Sequence, residues 1–328
     1  MRRLPGYLLL LSLLLVGCQQ DSDILLDAAV EQQISALQTP IPVEDWHAQV
    51  QRELAAHFAQ FQLALQELSR DNNHGETLEQ LQHALSHWHE GFNQHYLLLA
   101  TYACATSQYR LLARSDSWPL YAGYLDSLPE WPQSGLINDT SIDITPATLR
   151  RQHQTTDHHE VSLGFSAMHT IADRYAQPGD DAPSVTVEDD PENPALNLEQ
   201  QQQRRLQFLR AASQQLQDDL SSLTAFIALT RQHMDCGLRL TLERESAFEA
   251  WRVAPSEYLY VPAATIDAVA QSTLRALQHV PDVAMHAWSD QRSILNAALD
   301  AAQDGDIQPL KALHAIQPTH RSDNLDAP

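Results

Sequence analysis

The chain is 328 residues long, with 42 acidic side chains against 20 basic ones, 16 histidines and a formal charge of −22 at neutral pH. So acidic a surface excludes nucleic-acid binding and electrostatic adhesion to anionic lipid, and leaves cations and basic partners open. With only 10 glycines, abundant Leu, Ala and Gln, and few β-branched runs, the composition favours helix over sheet, at a length that supports one large core or two modest ones.

The first residues carry an address. Met1-Arg2-Arg3 precedes an apolar run from Tyr7 to Val16 that ends at Leu15-Val16-Gly17-Cys18. The run falls short of the about 20 residues a permanent transmembrane helix needs, so residues 1–17 read as a signal peptide. Leu-x-Gly-Cys resembles the bacterial lipobox, in which the cysteine is acylated and becomes the first residue of the mature protein. Cys18 is then the lipidation site, and residues 18–23 form a tether to the lipid bilayer. Fatty-acyl chains such as palmitate hold a polar domain at roughly 0.8 kcal/mol per buried CH₂. Gln19, where aspartate would mark retention at the inner membrane, points to the outer membrane of a Gram-negative cell, facing the periplasm.

Beyond the tether, residues 24–37 have helical spacing, and Thr39-Pro40-Ile41-Pro42 stops them. A helix from about residue 43 to 69 shows one apolar stripe, Leu54, Phe58, Phe61, Leu65 and Leu68. After a turn at 71–75, Thr77 is positioned to cap a long helix over 78–113. Residues 118–144, rich in proline and glycine, read as an irregular connection of the kind that crosses a site. Thr145 and Pro146 form an N-cap and first helical residue, and the predicted helix carries His158, Gly164 and His169 to Tyr175. Residues 177–197, with Glu188-Asp189-Asp190, read as an acidic linker; they lack the spaced oxygen ligands and turn glycine of a calcium loop. Helices are expected over 198–233, 239–251, 266–280, 283–302 and 307–316, before a polar tail at 318–328. The fold class is all-α, with two antiparallel helical bundles, 24–176 and 198–317, behind the lipoprotein signal peptide. Cys104 and Cys236 face an oxidising compartment, where they either bridge or stand as two buried thiols.

The histidines suggest metal chemistry at three places. His83, His87 and Glu90 share a helix face, with His89 and His95 close in sequence. His158-His159-Glu160 is a dense polar triplet, but on a helix consecutive residues diverge, so one or two at most would meet one ion. His158, Ser162, Ser166, His169 and Asp173 fall at helical steps and form a polar stripe, with Asp173 placed to orient His169. For His169 alone, a satisfied core histidine competes with a ligand.

Ser117-Trp118-Pro119-Leu120, Tyr124-Leu125-Asp126, Ser134-Gly135-Leu136-Ile137-Asn138-Asp139-Thr140 and Ile144-Thr145-Pro146, in this order and spacing, resemble the imelysin family. So does the helix of Leu163-Gly164-Phe165, and the segment from Leu206 to Leu220 with Arg204-Arg205 ahead of it and Asp218-Asp219 within. The resemblance spans residues 80 to 225. It implies an all-helical two-bundle fold, an envelope location and a link to iron or other metal uptake; some members are named as insulin-cleaving peptidases. The family signature Gly-x-His-x-x-Glu reads Gly164-Phe165-Ser166-Ala167-Met168-His169 here. Serine is a poor ligand for zinc or iron, so Ser166 drops out and His169 ligates from the glutamate position.

The leading expectation is therefore a non-enzymatic imelysin-like lipoprotein binding a divalent or ferric ion, or a metal-bearing ligand, through residues among His169, His158, Asp173, His87 and Glu90, with an envelope transport protein as a further partner. The alternatives are an interaction scaffold with a degenerate site and, with less support, a metallopeptidase. No catalytic residue is assigned.

Overall fold

The structure is a computed structural model that describes residues 40–70, 75–128, 133–176, 196–256 and 258–269. The expected signal peptide, Cys18, the helix expected at 24–37, most of the expected acidic linker and everything after residue 269 lie outside the described residues. Of the described residues about 70% are helical, and strand is confined to two pairs of residues. Among them no helix is long and apolar enough to cross a membrane.

Helix α1 (Glu44–Leu68) begins with two acidic residues against its N-terminal dipole and buries Leu54, Phe61, Leu65 and Leu68. It packs along α2 (Gly75–Gln94). The helix expected over 78–113 is interrupted twice. His95, whose N–H is shared between the carbonyls of Gly91 and Phe92, separates α2 from α3 (Tyr96–Thr106), and Ser107, in the left-handed region at φ 58°, separates α3 from α4 (Tyr109–Ser115). Helix α3 is apolar on every face and buried from Tyr96 to Ala103, as suits a helix enclosed on all sides. Four-residue α5 (Ala122–Leu125) follows in the irregular segment.

The predicted cap at Thr145 is present: its hydroxyl accepts the Thr148 N–H at 3.1 Å, with Pro146 first in α6 (Pro146–Gln152). That helix does not run on to Tyr175. It ends at Gln152, residues 153–164 form a loop, and α7 (Phe165–Ala176) starts afresh. Helix α8 (Leu198–Leu223) opens with a capping box between Asn197 and Gln200. It stops ten residues before the expected His233; residues 224–230 are not helical, and α9 (Arg231–Val253) then runs through the stretch predicted at 239–251. Helix α10 (Ala263–Val269) closes the described part.

Strand β1 (Pro40–Ile41) pairs antiparallel with β2 (Leu229–Thr230). Helix α9 lies along α3, where Gly237 lets the backbones touch: a Cβ there would come within 2.8 Å of the Thr101 Cα. One residue before it, Cys236 is bonded to Cys104, 6.2 Å between Cα atoms, which settles the open cysteine question for the bridge. Helix α8 packs on α7, α4, α6 and α1, and one apolar cluster continues from α1 through α9.

Candidate functional site

The signature segment starts at Gly164. Its φ of +90° lies where L-residues rarely go, and a Cβ would stand 2.5 Å from the Arg114 carbonyl oxygen and 2.8 Å from that of Ser115. Only glycine lets the start of α7 lie against the end of α4. Two residues on, the Ser166 hydroxyl is 3.2 Å from that of Thr265 in α10, so this buried serine already has a hydrogen-bond partner.

One turn further, His169 is 2% exposed and meets His89 of α2, with His169 Nε2 and His89 Nδ1 3.3 Å apart. The His89 ring stacks on Phe165, centroids 4.4 Å apart and 4° from parallel, and Trp88 and Phe92 also touch Phe165. Burial lowers the His169 pKa to about 3. Burial also puts His89 well below its ordinary value, assisted by His169 and by the Arg244 charge. Both imidazoles are therefore neutral at physiological pH, and His89 Nε2 is buried without a hydrogen-bond partner.

Beside this pair lies a charged pair. Asn93 donates to the His89 carbonyl at 2.8 Å and accepts from Arg244 Nη2 at 2.6 Å. Arg244 forms a two-pronged contact with Asp116, one arm at 2.7 Å, and sits 4.2 Å above the Tyr96 ring. Burial opposes the Arg244 charge, but the Asp116 carboxylate more than offsets this and raises its pKa.

The other expected ligands go elsewhere. Because residues 153–164 are a loop, His158 and Ser162 do not continue the face of Ser166 and His169, and the five-residue polar stripe does not exist. Ser162 donates to the Leu149 carbonyl at 2.7 Å. Asp173 accepts from Gln82 at 3.1 Å instead of orienting His169, and burial raises its pKa. His87 pairs with His83 at the surface, Nε2 to Nε2 3.0 Å. His87 and Glu90 act electrostatically on His57 of α1, whose pKa burial lowers first. None of His158, Asp173, His87 and Glu90 joins His169.

The partner the sequence reading missed is His89, 80 residues from His169 and on another helix. Its signal was its place one turn ahead of Asn93 on the buried face of α2. Of the triplet His158-His159-Glu160, the divergence expected of the two histidines also fails: in a loop they turn towards one another and, with Asp157, which the sequence reading did not include, place their ligand atoms within 4.8 Å. Elsewhere, a cleft of about 540 Å³ among Tyr124, Gly135, Asn138 and Gln152 belongs to the irregular segment. No protein-family model and no curated protein matches the chain.

Proposed function

We propose that this chain is an imelysin-like lipoprotein, anchored through Cys18 on the periplasmic side of the outer membrane and built of two antiparallel helical bundles. In this reading it is non-enzymatic and binds a metal ion, or a ligand carrying one, in connection with iron or metal uptake. The observation that carries the reading is the His89–His169 pair at the place of the degenerate signature. Two imidazole nitrogens that share one tetrahedral ion at about 2.0–2.1 Å stand roughly 3.3 Å apart, and neutral imidazole is the ligating form. The pair already has this separation. With Ser166 and Asp173 committed to other partners, the protein supplies two donors, and the remaining positions fall to the ligand, which favours a metal-bearing one. Entry requires α10 to yield, since it packs on both α2 and α7.

A second reading, an interaction scaffold that kept the fold and lost the site, is favoured by the stacking of Phe165 on His89 and by the Arg244 charge facing it. A peptidase has the least support, because no carboxylate is among the groups acting on either imidazole, and metal-assisted hydrolysis needs a general base.

Metal content and calorimetric titration with iron, zinc and copper test this on untagged mature protein secreted to the periplasm, alongside His89→Ala and His169→Ala. Loss of one equivalent of bound metal in both variants supports the reading. A metal stoichiometry that neither variant changes leaves the scaffold.

A further inference from the structure

We propose a second metal site, independent of the His89–His169 pair, in the loop between α6 and α7: Asp157, His158 and His159 together bind one divalent d-block cation, of the zinc or copper(II) type. Among the described residues this is where three such donors converge. Asp157 Oδ1 lies 3.0 Å from His159 Nδ1 and 3.8 Å from His158 Nδ1, and the two imidazole rings have their centroids 3.7 Å apart. Donors on one such ion are roughly 3.3 Å apart. The two measured separations bracket that value, so small side-chain rotations bring all three onto one centre.

The backbone beneath them is fixed. Gln154 N–H donates to the Glu160 carbonyl at 2.8 Å, and its side chain donates to the His158 carbonyl at 2.8 Å. The Glu160 carboxylate accepts the Thr156 N–H at 3.0 Å, the Thr156 hydroxyl at 2.6 Å and the Asp157 N–H at 3.3 Å. Glu160 thereby holds the loop closed and does not compete as a ligand. Tyr121 N–H donates to the His159 carbonyl at 3.1 Å and ties the loop to the protein body. A loop held at this many points has already lost most of the freedom that binding would otherwise have to remove.

Two imidazoles and one carboxylate suit zinc, copper(II) or nickel(II), and lack the oxygen set that calcium or magnesium requires. His158, with 78% of its side chain exposed, faces solvent, so the ion enters without opening the core, and its remaining coordination position falls to water. In the unliganded loop the Asp157 carboxylate accepts from His159 Nδ1–H. Ligation through Nδ1 leaves the ring proton on Nε2, so the imidazole stays neutral and no proton is lost when the cation binds.

The test is titration of the untagged mature chain with Cu²⁺ and with Zn²⁺, followed by calorimetry and, for copper, electron paramagnetic resonance. The variants are His158→Ala, His159→Ala and Asp157→Asn, with His83→Ala/His87→Ala and His169→Ala as controls. The expected result is one equivalent bound in this loop, copper tighter than zinc, with affinity falling ~10-fold or more in each loop variant. The copper spectrum should show coupling to two nitrogens, reduced to one in either loop histidine variant. Controls should leave this equivalent in place, even if His169→Ala removes another. The exposed His158→Ala variant keeps its fold by circular dichroism, so a loss there reports on binding. Absence of binding, binding indifferent to His158 and His159, or binding lost only with His83 and His87 would each overturn the proposal.

Discussion

At the scale of single residues, the burial of His169 makes the fold sensitive to acid. Its folded pKa of about 3 lies below the 6.5 it has when unfolded, so between these values the unfolded chain binds the extra proton. The stability that depends on a neutral His169 is complete above pH 6.5 and is lost as pH falls towards 3. At pH 5 the loss is about 2 kcal/mol from this group alone, and His89, shifted in the same direction, adds to it. Urea denaturation at pH 7.5 and pH 5 should show this drop, and His169→Gln should flatten the profile. An equal pH dependence in that variant would remove His169 as the cause. Gly164 makes a sharper demand. Alanine there would be strained at φ +90° and would press on two α4 carbonyls, so Gly164→Ala should destabilise by about 2–3 kcal/mol. A melting temperature close to wild type would show that α4 can withdraw. The place of Gly164 at the head of the signature-like string was legible in the sequence. The contact with His89 was not, since periodicity assigns a residue to a face and says nothing of which distant helix meets that face.

At the scale of elements, what the sequence reading found and what it missed have one physical origin. Apolar periodicity located α1 and the start of α8, and the Thr145 cap, which is local chemistry, located the start of α6. Periodicity ran through the breaks at His95, at Ser107 and across 153–164. None of these contains proline: α3 is bounded by His95 and by Ser107 in the left-handed region, and is buried from Tyr96 to Ala103, while the loop at 153–164 ends in the Gly164 turn against α4. The largest error of the sequence reading about the site, a continuous polar stripe from His158 to Asp173, follows from the last of these breaks. The disulfide also acts at this scale. Cys104 and Cys236 lie 132 residues apart and join the central helix α3 to α9, so the bridge restricts a long loop of the unfolded chain. Its removal by Cys104→Ser/Cys236→Ser should cost about 2–5 kcal/mol, read as a lower melting temperature matched by wild-type protein under reductant. A melting temperature unchanged by either treatment would mean that packing at Gly237 alone secures the α3–α9 contact.

At the scale of the whole molecule, buried ion pairs join segments that the chain brings together from far apart. Arg114 meets Asp219 at 2.6 and 2.7 Å, Arg205 meets Asp126 at 2.6 and 3.2 Å, and Arg244 meets Asp116. Arg204 donates to the carbonyls of Leu136, Ile137, Asp139 and Ile142. Helix α8 thus carries Arg204, Arg205 and Asp219 towards the irregular segment and α4, and fixes the surfaces between which α7 is held. Several of these residues stood out in sequence through the strings around Asp126 and Arg204-Arg205, and here they form a buried ion pair and hydrogen bonds to backbone carbonyls. The Arg205–Asp126 pair shows how the two roles can be separated. Asp126 is 0% exposed and Arg205 4%, so Arg205→Ala leaves a carboxylate buried without its cation and should destabilise by about 3–5 kcal/mol. Replacing both partners by apolar residues of similar size, Arg205→Met with Asp126→Leu, removes the unpaired charge and should recover most of that loss, because a buried pair offsets little more than its own desolvation. Denaturant titration of the single and double variants measures the difference. A double variant as unstable as Arg205→Ala would mean that the pair also positions the backbone hydrogen bonds from Leu136 to Tyr124 and from Ile137 to Leu125, and that geometry as well as charge balance keeps it in place.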